Sequence, residues 1–94
     1  MLLFKQTCVC SPEQYDIIDN NQKIGYCRLR HGIFTVNILD KEIFRKINVN
    51  GKDFFEENER SIYINHAAEL VLNELGFNLT KLYKVEKMIS QFDD

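Results

Sequence analysis

The sequence predicts an α+β fold: an antiparallel four- or five-stranded meander with one long helix packed on one face and a short C-terminal helix or strand. Three observations carry this. Residues 25–38 hold two alternating runs around a His31-Gly32 pair that can form a two-residue turn. Asn50-Gly51 is a second strong turn signal, of the type I′ kind. From about 58 to 75 the apolar spacing changes from a period of two to that of a helix.

Taken in order, residues 2–9 form a first strand of mixed pattern, and Ser11-Pro12 punctuates it because Pro12 cannot donate to a ladder. A second strand runs from about Gln14 to Ile18, followed by an Asp19-Asn20-Asn21-Gln22 turn whose residues tolerate left-handed backbone angles. Two registers are open. A two-residue loop pairs Glu13 with Arg28 and Tyr15 with Tyr26, whereas a three-residue loop pairs Tyr15 with Cys27 and moves Tyr15 to the other face. In the central hairpin, Arg30 opposite Ile33 sets Leu29 against Phe34, Cys27 against Val36 and Gly25 against Ile38 on an apolar face. Arg28 then meets Thr35, and Tyr26 meets Asn37, on a polar one.

Asp40-Lys41 turns the chain into a strand over 43–49, and Asn50-Gly51 lets residues 53–55 fold back before the helix. On that helix Tyr63, Ala67, Leu70, Val71 and Leu75 share one side. Glu56, Glu57 and Glu59 suit its positive end, and Gly76 is its C-terminal stop. The tail is ambiguous: Leu82, Val85, Ile89 and Phe92 fit a helical stripe, whereas 77–79 and 82–85 also fit a strand.

With 94 residues, 45 % hydrophobic and 28 % charged, and no linker-like tract, the chain reads as a single domain, 1–94. A net charge of −2 gives no global field for polyanions, so contact with nucleic acid must rest on a local patch. Lys5 and Gln6 interrupt the apolar start before it reaches the length of a signal peptide or membrane span. The odd number of cysteines, 3, matches no disulfide framework. A cytoplasmic location, free thiols and no membrane contact are expected.

The strings Pro12-Glu13-Gln14-Tyr15-Asp16 and Gly25-Tyr26-Cys27-Arg28-Leu29-Arg30-His31-Gly32, with the helix start Phe55-Glu56-Glu57-Asn58-Glu59-Arg60, resemble a small family of uncharacterised bacterial and phage-encoded proteins. The resemblance covers about residues 12–75. It implies a shared fold and a shared polar hairpin face, and no activity. Cys27 stands where an aliphatic residue is expected in such relatives. Lys23-Ile24-Gly25-Tyr26 with Leu75-Gly76-Phe77 is also similar to acetyltransferase domains of the GNAT kind, but the Gly-rich loop that would hold a pyrophosphate at a helix start is absent.

Glu13, Tyr26, Arg28, Arg30 and His31 are the candidate binding residues. Arginine's fork of donors suits a phosphate or carboxylate, and Tyr26 adds a stacking surface. The bland alternative is a cross-strand Glu13–Arg28 ion pair on a solvated face. His31 is first a turn residue, with no evident partner for proton transfer. Cys8, Cys10, Cys27 and His31 provide the donor number of a zinc site, yet Cys27 and His31 lie about 13 Å apart on an extended strand, so buried free thiols are the default reading. No metal or cofactor is assigned. Solvated charge is also the default for His66 with Glu69, for the acidic Glu56–Glu59 start, and for the Lys81, Lys84, Lys87 row.

The expected helix-bearing face is that of Leu29, Phe34, Val36 and Ile38. Ile24, Tyr26 and Ile33 make the other face less polar than a solvent face, so the tail or a second copy is expected to cover it. The leading expectation for function is a non-catalytic binding module that engages an acidic partner or nucleic acid through the Arg/Tyr face, with homodimerisation through that face or an edge strand. The alternative is a small enzyme or ligand-binding protein with a pocket between sheet and helix, and a structural zinc protein comes third.

Overall fold

The computed structural model describes residues 2–8, 12–76 and 83–86. Among these residues, six strands and one helix follow in the order β1 (Leu2–Gln6), β2 (Glu13–Asp19), β3 (Gln22–Arg30), β4 (Ile33–Ile38), β5 (Lys41–Lys46), α1 (Glu57–Glu74) and β6 (Tyr83–Glu86). They form one sheet of order β5-β4-β3-β2-β1-β6. β1 to β5 are an antiparallel meander, and β6 joins β1 in parallel. The described part of the tail is therefore a strand at the sheet edge, and the expected helical stripe at Ile89 and Phe92 lies outside the described residues.

The β3-β4 hairpin has the register that its alternation predicts: Arg30 opposite Ile33, Leu29 opposite Phe34, Arg28 opposite Thr35, and onward to Gly25 opposite Ile38. His31 and Gly32 both have positive φ, 53° and 74°, as a type I′ turn requires. Gly32 is needed twice over, because a Cβ there would also lie 2.7 Å from the Gly51 nitrogen.

β2 meets β3 through a two-residue Asn20-Asn21 turn with φ of 52° and 65°. That turn alone would pair Tyr15 with Tyr26. A bulge at Ile24 shifts the register, so Ile18 opposes Lys23 but Ile17 opposes Gly25 and Tyr15 opposes Cys27. The register assigned to a three-residue loop thus arises from a two-residue loop plus a bulge, and Glu13, Tyr15 and Ile17 all turn towards the helix. Ile24, expected beside Tyr26 on the outer face, is instead the bulged residue and packs at the margin of the core.

Two other boundaries differ from expectation. The turn before β5 is Leu39-Asp40, with φ of 50° and 64°, rather than Asp40-Lys41. Asn50-Gly51 does not close a hairpin. Residues 47–56 fold over the tip of the β3-β4 hairpin: the Val49 N–H donates to the Gly32 carbonyl at 2.8 Å, the Gly32 N–H to the Lys52 carbonyl at 2.7 Å, and the Glu13 N–H to the Asp53 carbonyl at 2.6 Å.

α1 buries Ile64, Ala67, Ala68, Val71 and Leu72 against Leu2, Phe4, Tyr15, Ile17, Cys27, Leu29, Phe34, Val36 and Ile38. Its buried stripe is rotated from the predicted one. Tyr63 and Leu75 pack at the margin, and Leu70 is only half-buried. Phe34 anchors the end near the 47–56 loop, with ring centroids 5.3 Å from Phe55 and 5.7 Å from Tyr63, which itself stacks on Phe55 at 5.2 Å. Burying such side chains supplies about 1.5–3 kcal/mol each. Among the described residues no helix is long and apolar enough to cross a membrane.

Candidate functional site: an open basic sheet face

Strand alternation puts Tyr26, Arg28 and Arg30 on the face opposite α1, beside Gln14, Asp16, Ile33, Thr35, Asn37, Glu42 and Arg45 of the neighbouring strands. No described element lies across this face. Its residues are exposed or half-buried except Thr35, which sits between Arg28 and Arg45 in one cross-strand row. β6 extends the sheet edge, so the expectation that the tail covers the outer face is not met by its described part.

Among the described side chains, five cations, Lys5, Lys23, Arg28, Arg30 and Arg45, share this face with two carboxylates, Asp16 and Glu42. A chain of net charge −2 therefore carries a basic sheet face. Both carboxylates are engaged: Lys23 Nζ lies 3.3 Å from Asp16, and Arg45 donates to Glu42 through Nε at 3.1 Å and Nη2 at 2.9 Å. Among the described residues no carboxylate pairs with Arg28 or Arg30. The Arg28 guanidinium carbon lies 5.8 Å from the centre of the Tyr26 ring, within cation–π range.

Glu13 does not belong to this face. It is buried on the helix side and its carboxylate is saturated. The Tyr15 hydroxyl donates to Oε2 at 2.6 Å, the Phe55 N–H to Oε1 at 3.0 Å, Arg60 Nε to Oε2 at 2.8 Å and Arg60 Nη2 to Oε1 at 3.1 Å. Arg60 also donates to the Phe55 carbonyl at 2.9 Å and to the Glu57 carboxylate. The expected Glu13–Arg28 pair is thus replaced by a buried Glu13–Arg60 pair joining β2, the 47–56 loop and α1.

Burial opposes ionisation of Glu13, yet the hydrogen bonds from Arg60, Tyr15 and Phe55 outweigh it and hold the carboxyl below its ordinary value of 4.5. Burial and the adjoining Glu13 push the Tyr15 hydroxyl up, and burial pushes the Cys27 thiol up. Near neutral pH the carboxylate stays charged while the phenol and thiol stay protonated. The cluster is therefore suited to holding structure and unsuited to moving protons.

His31 is also separated from the arginine face by its bonding. Its backbone N–H donates to Asp53 Oδ1 at 2.5 Å, and its ring Nδ1 lies 3.5 Å from the same oxygen. Asp53 is the partner that sequence reasoning missed, and it fixes the turn under the 47–56 loop. Cys27 is buried in the core face and His31 is exposed at the hairpin tip, so these two do not converge on a metal; Cys10 lies outside the described residues. Among the described residues no cluster of three or more His, Cys, Asp or Glu could hold a metal ion. His66 Nδ1 sits 3.8 Å from Glu69 on the partly exposed side of α1. Glu59 accepts the Glu56 N–H at 2.9 Å at the helix start, and the side chains of Lys81, Lys84 and Lys87 lie outside the described set.

A groove of about 470 Å³ adjoins the arginine face at the far end of the β3-β4 pair, lined by Lys23, Ile24, Gly25, Tyr26, Asn37, Leu39 and Asp40. Its lining comes from the start of β3, including the bulged Ile24, from Asn37 of β4 and from the Leu39-Asp40 turn, with no residue of α1. Gly25 allows β3 and β4 to approach closely beside it, since a Cβ there would fall 2.0 Å from the Asn37 carbonyl oxygen. Comparison of the chain with protein-family models, curated proteins and solved structures gives no match.

Proposed function

We propose that the protein is a cytoplasmic, non-catalytic binding module whose open sheet face engages an anionic partner through Arg28 and Arg30, with Tyr26 as an aromatic anchor. One observation carries the reading. Of the chain's arginines, Arg45 and Arg60 are consumed by Glu42 and by Glu13 with Glu57, whereas Arg28 and Arg30 face outward with no described carboxylate partner. A guanidinium held on a rigid strand presents parallel N–H donors in the geometry that carboxylate and phosphate oxygens accept. Setting these groups on a sheet instead of a loop limits the ordering cost of binding.

The test is retention on immobilised polyanions. Wild type is retained on heparin, polyglutamate or single-stranded DNA resin, and Arg28→Glu/Arg30→Glu elutes in the void with an unchanged circular dichroism melt. Equal retention of the two proteins removes the reading. Sedimentation equilibrium on the same samples checks whether the partner is a second copy, since a wild-type dimer that the double variant converts to folded monomer makes the face a self-association surface.

A further inference from the structure

We infer that the anionic partner is single-stranded nucleic acid, with one base seated in the groove beside Tyr26 and the phosphates running along Arg28 and Arg30; this rests on the reading of the arginine face as a binding surface. Charge complementarity is the first support, because in a chain of net charge −2 the described side chains set five cations against two carboxylates on one sheet face that no described element covers. The groove is the second. An acidic peptide needs only the cations and leaves the Tyr26 ring, the Asn37 amide and the apolar Ile24 and Leu39 unused. A nucleotide uses each of them: a ring face for stacking, an amide that can both donate to and accept from a base edge, and apolar walls.

Leu39 is the third support. It has φ of 50° in the hairpin turn, is 70 % exposed and lines the groove. A leucine in left-handed backbone is strained where Asn or Gly would be less so, and its mostly exposed side chain offsets little of that by burial. A base stacked between Leu39 and Tyr26 would supply the missing contact. Asp40, also at the groove, repels phosphate from that end and leaves Arg28 and Arg30 as the path for the backbone. Duplex fits poorly, because its major groove admits a helix or a two-stranded ribbon and not the flat of a six-stranded sheet.

The experiment is fluorescence anisotropy with three probes: a labelled oligothymidylate, a duplex of equal length and a polyglutamate peptide. Single strand binds most tightly. Tyr26→Ala weakens it by about tenfold, Tyr26→Phe leaves it unchanged, and Arg28→Gln/Arg30→Gln lowers the slope of log Kd against log salt by about 1.4. All variants are first checked for a wild-type circular dichroism melt. Tyr26→Ala binding as tightly as wild type, or duplex or polyglutamate binding as tightly as the single strand, overturns the inference and leaves the anionic face standing. No binding of any of the three overturns both.

Discussion

On the helix side of the sheet, Arg60 shares with Glu13 a carboxylate that two further donors complete, whereas on the open side Arg28 lies over the Tyr26 ring and meets no described carboxylate. The same ionic chemistry therefore does different work on the two faces. Behind the sheet, taking Glu13 out of water is offset only because every acceptor direction is filled, so the pair specifies where α1 and the 47–56 loop dock. In front, the cations stay near water and add little to folding, which leaves their hydrogen-bonding capacity for a partner.

The largest way to break this comparison is to strip the helix-side cluster. Glu13→Ala leaves the partly buried Arg60 without its main partner and should cost about 3–5 kcal/mol in urea unfolding. A loss below about 1 kcal/mol would mean that water replaces the carboxylate and that the cluster does not anchor the fold.

The same cluster sets a pH signature. The Glu13 carboxyl titrates below its ordinary value of 4.5 in the folded protein, so its stabilisation is fully present above that pH and is lost as pH falls through the lower folded-state value. Urea melts between pH 7 and pH 3 should show wild type losing stability relative to Glu13→Gln below about pH 4.5. Parallel curves would place the acid sensitivity in other carboxylates.

A smaller effect of opposite sign sharpens the contrast on the open side. Leu39→Asn relieves a left-handed leucine and should raise stability by about 1 kcal/mol, while weakening single-strand binding if the leucine walls the groove. Gain in stability with unchanged binding would make Leu39 a tolerated turn residue and nothing more.

Much of this was legible in the chain, for local reasons. The β3-β4 register follows from alternation around His31-Gly32, and the helix from its period, because neighbouring residues determine both. The side of the sheet taken by Glu13 was not legible. It depends on a single inserted residue, Ile24, whose bulge turns Glu13 from the arginine face towards α1. Its partner Arg60 lies 47 positions away. A weak signal existed: Arg60 stands one turn before Ile64 on the stripe that continues through Ala67, Ala68 and Val71, an unusual place for a charge unless a buried carboxylate waits there. Asn50-Gly51 misled because a strong turn dipeptide sits in a loop held by Gly32 and Glu13 backbone groups, a long-range contact that local propensity does not encode.

Equilibrium urea unfolding of Arg28→Glu/Arg30→Glu beside wild type tests the division of labour most directly. If the open-face arginines are free of structural duty, the double variant unfolds within about 0.5 kcal/mol of wild type even though two charges are reversed. A loss comparable to that of Glu13→Ala would show that Arg28 and Arg30 hold the sheet together, and would contradict the assignment of this face to binding.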